Sequence, residues 1–291
     1  MRSKRLREVQ MIRRFLDPIL DTWDWGVGIA DFYSSIDRFI VRPKWLRSLL
    51  HGTWLGHPLH PVLTDLPIGV LTVALILDLL GIYDGANVAT LIGAAGLVAA
   101  AAAGFVDLDE TDGRARQYGG VHASLMLVAM AFYLFSLLVR YGFTPGEPYH
   151  ATLTAAIGYA FIVVGAYIGG ELVFTLGNMV DRHAWRTGGT KWTALDVADV
   201  PERTLTKARA GAQSLVLVRV GDRISALHDV CSHAGCSLSE GKIVGETVQC
   251  GCHGSRFRIA DGAVVVGPAT ADQPAYEIRR TDGKLEARRL G

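Results

Sequence analysis

Only four of the 291 residues are cysteine, and all four fall between Cys231 and Cys252. That confinement excludes a disulfide framework for the whole chain and points to one specialised site. Net charge is equally scarce, because 29 Lys and Arg against 28 Asp and Glu leave +1. No overall field therefore argues for nucleic acid or another polyanion as a partner. Between residues 61 and 178 charged side chains are few and apolar ones dominate, which is not the composition of a water-soluble core. From 181 to 291 the composition is that of an ordinary soluble domain, so the length divides into more than one domain.

The cysteines come with histidines. CSHAGC is followed, sixteen residues after His233, by CGCHGSRF. Cys231-x-His233 and Cys250-x-x-His253 offer two thiolates and two imidazoles from two short loops. This set suits a binuclear iron–sulfur centre whose one iron takes both cysteines and the other both histidines. Structural zinc prefers Cys-x2–4-Cys and His-x3–5-His and fits poorly. A plant-type ferredoxin fails because Cys231-x4-Cys236 is not followed by the required Cys-x2-Cys.

Over about the last hundred residues the chain closely resembles the Rieske family. The resemblance implies a 2Fe-2S cofactor held by Cys231, His233, Cys250 and His253 in a small antiparallel β domain. It also implies a disulfide between Cys236 and Cys252, tying the ligand loops together, with reduced structural thiols as the alternative. Ser255 stands where high-potential relatives have a Ser that hydrogen-bonds a cluster sulfur, and Phe257 stands where they have a Tyr. Losing that hydroxyl implies a potential below the quinol-oxidising proteins and above ferredoxins with only Cys ligands. Gly267-Pro268 resembles the family's loop over the cluster, or is a simple turn. His228 reads as a surface or packing residue rather than a ligand.

In chain order, MRSKRLREVQMIRRFL opens a basic, amphipathic stretch over residues 1–60. Arg13-Arg14-Phe15-Leu16 superficially resembles a twin-arginine export signal, but Asp17, Asp21, Asp24, Asp31 and Asp37 interrupt the apolar core that such a signal needs. A membrane-surface segment is expected instead. Four apolar runs follow, near Leu66–Ile82, Ala86–Val106, Gly120–Val139 and Ala151–Phe174, each near the ~20 residues a spanning helix needs. Asp65 before Leu66-Pro67 reads as a helix N-cap with proline in the first turn, and Gly142 as the end of the third helix. Small residues, among them Gly165, Gly169 and Gly170, favour close helix packing in lipid.

The expected fold is thus multidomain, membrane α + β: a surface segment (1–60), a four-helix transmembrane bundle (61–180) and a Rieske domain (181–291). Arg42, Lys44, Arg47, Arg114, Arg116, Arg182, Arg186 and Lys191 lie on the terminal side of the spans, and only Arg140 lies opposite. This predicts an integral inner (cell) membrane protein with both termini and the Rieske domain cytoplasmic.

HGTWLGHPLHP, LTDLPIG and GFVDLDETDGRARQYGGVHASL resemble a bacterial family of four-helix membrane proteins of unknown function, over residues 51–178. His51, His57 and His60 precede the first span and His122 opens the third, so an up-down bundle can bring them together. His57, His60 and His122 are candidate ligands for haem b, with Gly119 and Gly120 leaving room for a macrocycle. Asp65 and Asp107 make a non-haem metal an alternative. A quinone pocket or a purely interfacial role are the others. Glu171 and Asp78 read as a proton group or buried partner, or as solvated carboxylates.

The function expected is a membrane-anchored carrier passing single electrons between a membrane-side donor (haem or quinol) and a partner protein. A redox sensor and a ferredoxin tethered beside an oxygenase are the alternatives. The partners are the lipid bilayer, donor and acceptor proteins or quinol, and no nucleic acid; an oligomer is left open. Oxygenases of the Rieske class carry a separate mononuclear iron after this module. The 38 residues beyond His253 contain no His, so that activity is not expected.

Overall fold

A computed structural model describes residues 24–185 and 189–290. The amphipathic stretch and twin-arginine motif before residue 24, and Arg186, lie outside the described residues. Among the described residues, contacts divide the chain into two units, residues 24–41 with 60–178, and residues 42–59 with those described from 179 to 290. Of the segment read from sequence as one piece, 1–60, the described residues 24–60 fall in both units.

In the first unit, α1 (Trp25–Ile40) precedes four long apolar helices; α2 (Lys44–His51) belongs to the second unit. The long helices are α3 (Leu59–Leu79), α4 (Tyr83–Asp109), α5 (Gly113–Arg140) and α6 (Pro148–Gly170). A π-helical turn (Glu171–Thr175) extends α6, and all four are long and apolar enough to cross a bilayer. Leu71, Leu97, Ala129, Tyr133, Ala155 and Ile162 form the core between them.

The start of α3 corrects the sequence reading. The helix begins at Leu59, so Pro61 occupies the first turn, and Thr64 Oγ1 donates to Pro61 O at 2.7 Å. Asp65 is exposed within the helix and is no cap. Pro67 lies in the helix interior, where its ring packs on Gly96 of α4. Gly142 ends α5 as expected, with φ +73° and its N–H on Val139 O. Gly119 and Gly120 do not leave room for a macrocycle. A Cβ on Gly119 would stand 2.6 Å from Leu108 Cδ1, and one on Gly120 would collide with the Gly26 carbonyl of α1. Gly120 admits α1, which Arg116 secures through Asp31 Oδ1 (2.7 Å) and Ser34 Oγ (3.0 Å), and Gly119 admits Leu108 of α4.

The far end of the bundle holds a buried ion pair. Arg140 of α5 donates through Nη1 to Asp78 Oδ1 (3.0 Å) and Asn87 Oδ1 (2.9 Å), through Nη2 to Asp78 Oδ2, and through Nε to Ser136 Oγ (3.1 Å). Both charged side chains are almost wholly removed from solvent. Asp78 is thus a buried partner, and the basic residue counted on that side is neutralised in place.

In the second unit, β1 (Thr193–Ala194), β2 (Thr206–Ala210), β3 (Gln213–Val220) and β4 (Arg223–His228) are followed by β5 (Lys242–Val244), β6 (Thr247–Gln249), β7 (Arg256–Arg258) and β8 (Val264–Val266). β9 (Ala275–Thr281) and β10 (Lys284–Arg289) complete it. One sheet has the order β1-β10-β9-β4-β3-β2 and the other β5-β6-β7-β8, all neighbours antiparallel. Val216, Val218, Leu227, Leu238, Val248 and Phe257 fill the space between the sheets. The CSHAGC loop leaves β4 and the CGCHGS loop joins β6 to β7, so the hydrophobic alternation that forms the strands also sets the loops.

Candidate metal centre

The two loops repeat one local fold. In the first, Gly235 N–H returns to Cys231 O (3.0 Å) and Cys231 N–H donates to Cys236 O (2.8 Å). In the second, Gly254 N–H returns to Cys250 O (3.2 Å) and Cys250 N–H donates to Ser255 O (2.8 Å). Gly235 (φ +89°) and Gly254 (φ +78°) occupy the left-handed conformation that closes each turn and that side chains resist. The repeat places a cysteine at the base of each loop and a histidine near its tip.

The four sequence-predicted ligands come together. Cys231 and Cys250 are buried, unbridged and hydrogen-bonded to each other through sulfur. The rings of His233 and His253 stand 5.0 Å apart, nearly perpendicular. Backbone N–H groups of His233 and Ala234 point at the Cys231 sulfur, and those of Cys252 and His253 at Cys250. Such donors stabilise sulfur that carries negative charge, which cluster-bound thiolates do. The hydrogen bond from Cys231 holds the Cys250 thiol below its usual range against the effect of burial, while that hydrogen bond and burial push Cys231 up. Burial first, then the His253 and His51 rings and Arg182, lower His233 to about 3. A neutral imidazole is the form that ligates a metal. The donor set therefore fits a 2Fe-2S cluster.

Cys236 and Cys252 form the disulfide that the family resemblance implied, joining the tips of the loops. Their sulfurs and that of Cys250 all lie within 4.8 Å of one another. Two of the three are consumed by the bridge, which leaves only the Cys250 sulfur of this group unbridged. Ser255 Oγ is buried and accepts Ala269 N–H at 3.0 Å. Its proton is thereby left for another acceptor, as the expected bond to a cluster sulfur requires. That contact also joins the Gly267-Pro268 turn to the second loop. Phe257 is fully buried in the core.

Sequence reasoning missed the residues that brace the loops. Asp229, buried at the end of β4, accepts Ser237 Oγ (2.7 Å), Ser239 N–H (2.8 Å) and Lys207 Nζ (3.1 Å). Burial works against its charge, but these hydrogen bonds hold the carboxyl below its usual range. Gln273 is buried too; its Nε2 donates to His228 O and Val230 O (both 2.6 Å), and its Oε1 accepts Ser232 N–H (3.0 Å). His228 is a packing residue, its ring 4.6 Å from that of His183. The proximity of Asp229 and His228 to Cys231 in sequence was the available signal; Gln273 offered none.

The membrane-side histidines separate. His51 ends α2, is buried in the second unit and contributes to the lowered His233. It is not part of a bundle site. His57 is exposed, its Nδ1 3.2 Å from Pro58 O. His60 and His122 do meet, with ring centres 6.2 Å apart.

Residues 191–277 match the Rieske 2Fe-2S domain, and residues 56–182 match the family described as a predicted membrane protein, DUF2231. Ferredoxin CarAc of Metapseudomonas resinovorans is 35% identical over 77 residues, 26% of this chain and 72% of that protein. The anthranilate 1,2-dioxygenase ferredoxin subunit of Burkholderia cepacia is 35% identical over 97 residues, 33% of this chain and 90% of that protein. The cytochrome b6-f complex iron-sulfur subunit of Chlorobaculum tepidum is 27% identical over 88 residues, 30% of this chain and 48% of that protein.

Proposed function

Because the chain belongs to the Rieske 2Fe-2S family, with a DUF2231 membrane domain ahead of the Rieske domain, we propose that it is a membrane-anchored one-electron relay. A membrane-side donor, haem or quinol, supplies the electron and a partner protein receives it. The cluster supplies the reversible one-electron step. Cys231 and Cys250 hold one iron and His233 and His253 the other, while the backbone donors and Ser255 stabilise charge on sulfur. The observation that carries this reading is the convergence of exactly these two cysteines and two histidines, braced by the disulfide. The reading is thus an electron-transfer component of an oxidoreductase system.

The relatives favour a second reading, a tethered ferredoxin, since two of them are ferredoxins and one is named as a dioxygenase subunit. The basic residues flanking the spans support an inner (cell) membrane location with both termini and the Rieske domain cytoplasmic.

The test is electron flux through the full chain in detergent or vesicles. Cytochrome c is the added acceptor, and the donor is either a short-chain quinol or NADH with a ferredoxin reductase. Flux from quinol supports the first reading, and flux only from the reductase supports the tethered ferredoxin. A Cys250→Ser variant should abolish both flux and the cluster's paramagnetic signal. Undiminished flux in that variant, or a wild-type cluster that neither donor turns over, would sink the relay.

A further inference from the structure

His60 of α3 and His122 of α5 face each other within the bundle, their ring planes 83° apart. Each Nδ1 is engaged by a backbone carbonyl of the following helix, His60 by Ala100 O and His122 by Gly165 O, both at 2.8 Å. A carbonyl only accepts, so each Nδ1 carries the ring proton and each Nε2 a lone pair. Among the described residues neither Nε2 has a hydrogen-bond partner. Metal-bound imidazoles adopt this arrangement, one nitrogen fixed by a carbonyl and the other free to ligate.

The surroundings repeat as well. Four residues beyond each carbonyl stands a glycine against the same ring. A Cβ on Gly104 would lie 2.8 Å from His60 Cε1, and one on Gly169 would lie 3.2 Å from His122 Cε1. Each helical hairpin, α3–α4 and α5–α6, thus presents one imidazole, one orienting carbonyl and one bare stretch of backbone. A histidine that merely stapled two helices would explain either half alone. It would not explain why both rings, held in the same tautomer, meet.

Their spacing suits a shared ion. With metal–nitrogen bonds of about 2.0–2.1 Å and about 1.1 Å from nitrogen to ring centre, two imidazoles on opposite sides of one ion stand about 6.3 Å apart. The observed separation is 6.2 Å.

We propose that His60 and His122 are the two protein ligands of one transition-metal centre in the bundle. Among the described residues no third His, Cys, Asp or Glu completes a group with them, so Asp65 and Asp107 are not its ligands. The remaining coordination comes from a macrocycle, as in haem iron with two axial imidazoles, or from small molecules on a bare ion. The centre stands apart from the role given to the cluster, and its test can fail without touching that reading.

The full chain is purified in detergent. Haem is read from the pyridine haemochrome spectrum, and iron, copper and zinc by mass spectrometry, with the cluster's paramagnetic signal recorded alongside. The expected result is a haem, or an ion beyond the two cluster irons, that His60→Ala and His122→Ala lose while the cluster signal stays. A haemochrome band identifies haem; metal without that band identifies a bare ion. Should the alanine variants fail to fold, His60→Met and His122→Met keep bulk and a ligand atom, and a shifted spectrum or a changed metal content is expected. A wild-type protein with neither haem nor extra metal overturns the proposal. So does a centre that all four variants leave unchanged.

Discussion

Gly267 lies against Thr53 so closely that a β-carbon on Gly267 would stand 2.5 Å from Thr53 Oγ1, and 3.7 Å from His51 Cδ2. Gly267 N–H also donates to Ser48 Oγ at 3.4 Å. Residues more than two hundred positions apart thus meet beside the turn that Ser255 joins to the second ligand loop, and only a bare backbone permits it. Gly267→Ala should push residues 48–53 away from this turn. The expected outcome is a cluster reduced several-fold faster by dithionite in stopped flow, with the cluster content unchanged.

Gln273 satisfies three buried backbone groups around the first ligand loop. Truncating it removes a hydrogen bond from each, and although Val230 O keeps His183 Nε2 at 2.7 Å, a buried group left unpaired costs about 1–3 kcal/mol. Gln273→Ala should lower the denaturant midpoint of the cluster domain accordingly and speed cluster loss on standing.

The Arg140–Asp78 pair makes an asymmetric prediction. Arg140→Ala leaves a buried carboxylate without its partner and should destabilise the bundle by about 3–5 kcal/mol. Arg140→Met combined with Asp78→Leu should cost less than Arg140→Ala, because no charge is stranded. Thermal unfolding in detergent reads both.

Removing the bridge with Cys236→Ser and Cys252→Ser reopens a loop spanning 16 positions, which should cost about 3 kcal/mol on chain entropy. The double variant should still assemble a cluster, since neither sulfur is a ligand. It should lose that cluster faster on heating, as followed by visible absorption.

Ser255 and Phe257 stand at the two positions expected to tune hydrogen bonding to the cluster. Ser255→Ala should lower the midpoint potential and Phe257→Tyr should raise it, if the new hydroxyl reaches a sulfur. One hydrogen bond of about 0.5–1.5 kcal/mol corresponds to roughly 20–65 mV for a single electron at 59 mV per tenfold. Protein-film voltammetry measures both shifts.

The candidate ligand set was legible in the sequence because it is local: each Cys and His pair lies within four residues, and the glycine that closes each loop follows within two residues of the histidine. The spanning helices were legible because the bilayer imposes a length of apolar chain that few other contexts need. Their starts were less so, since Pro61 and Pro67 both offer a first-turn proline, and only packing on Gly96 places Pro67 inside the helix. What tertiary structure alone decided is which distant groups share a neighbourhood. His51, His57, His60 and His122 look alike along the chain, yet one packs in the cluster unit, one faces solvent and two meet in the bundle. Asp78 found Arg140, and Gln273 found the first ligand loop, across 62 and more than 40 positions. Pairings over such separations follow from how helices and sheets pack, and spacing in a single chain carries no record of them.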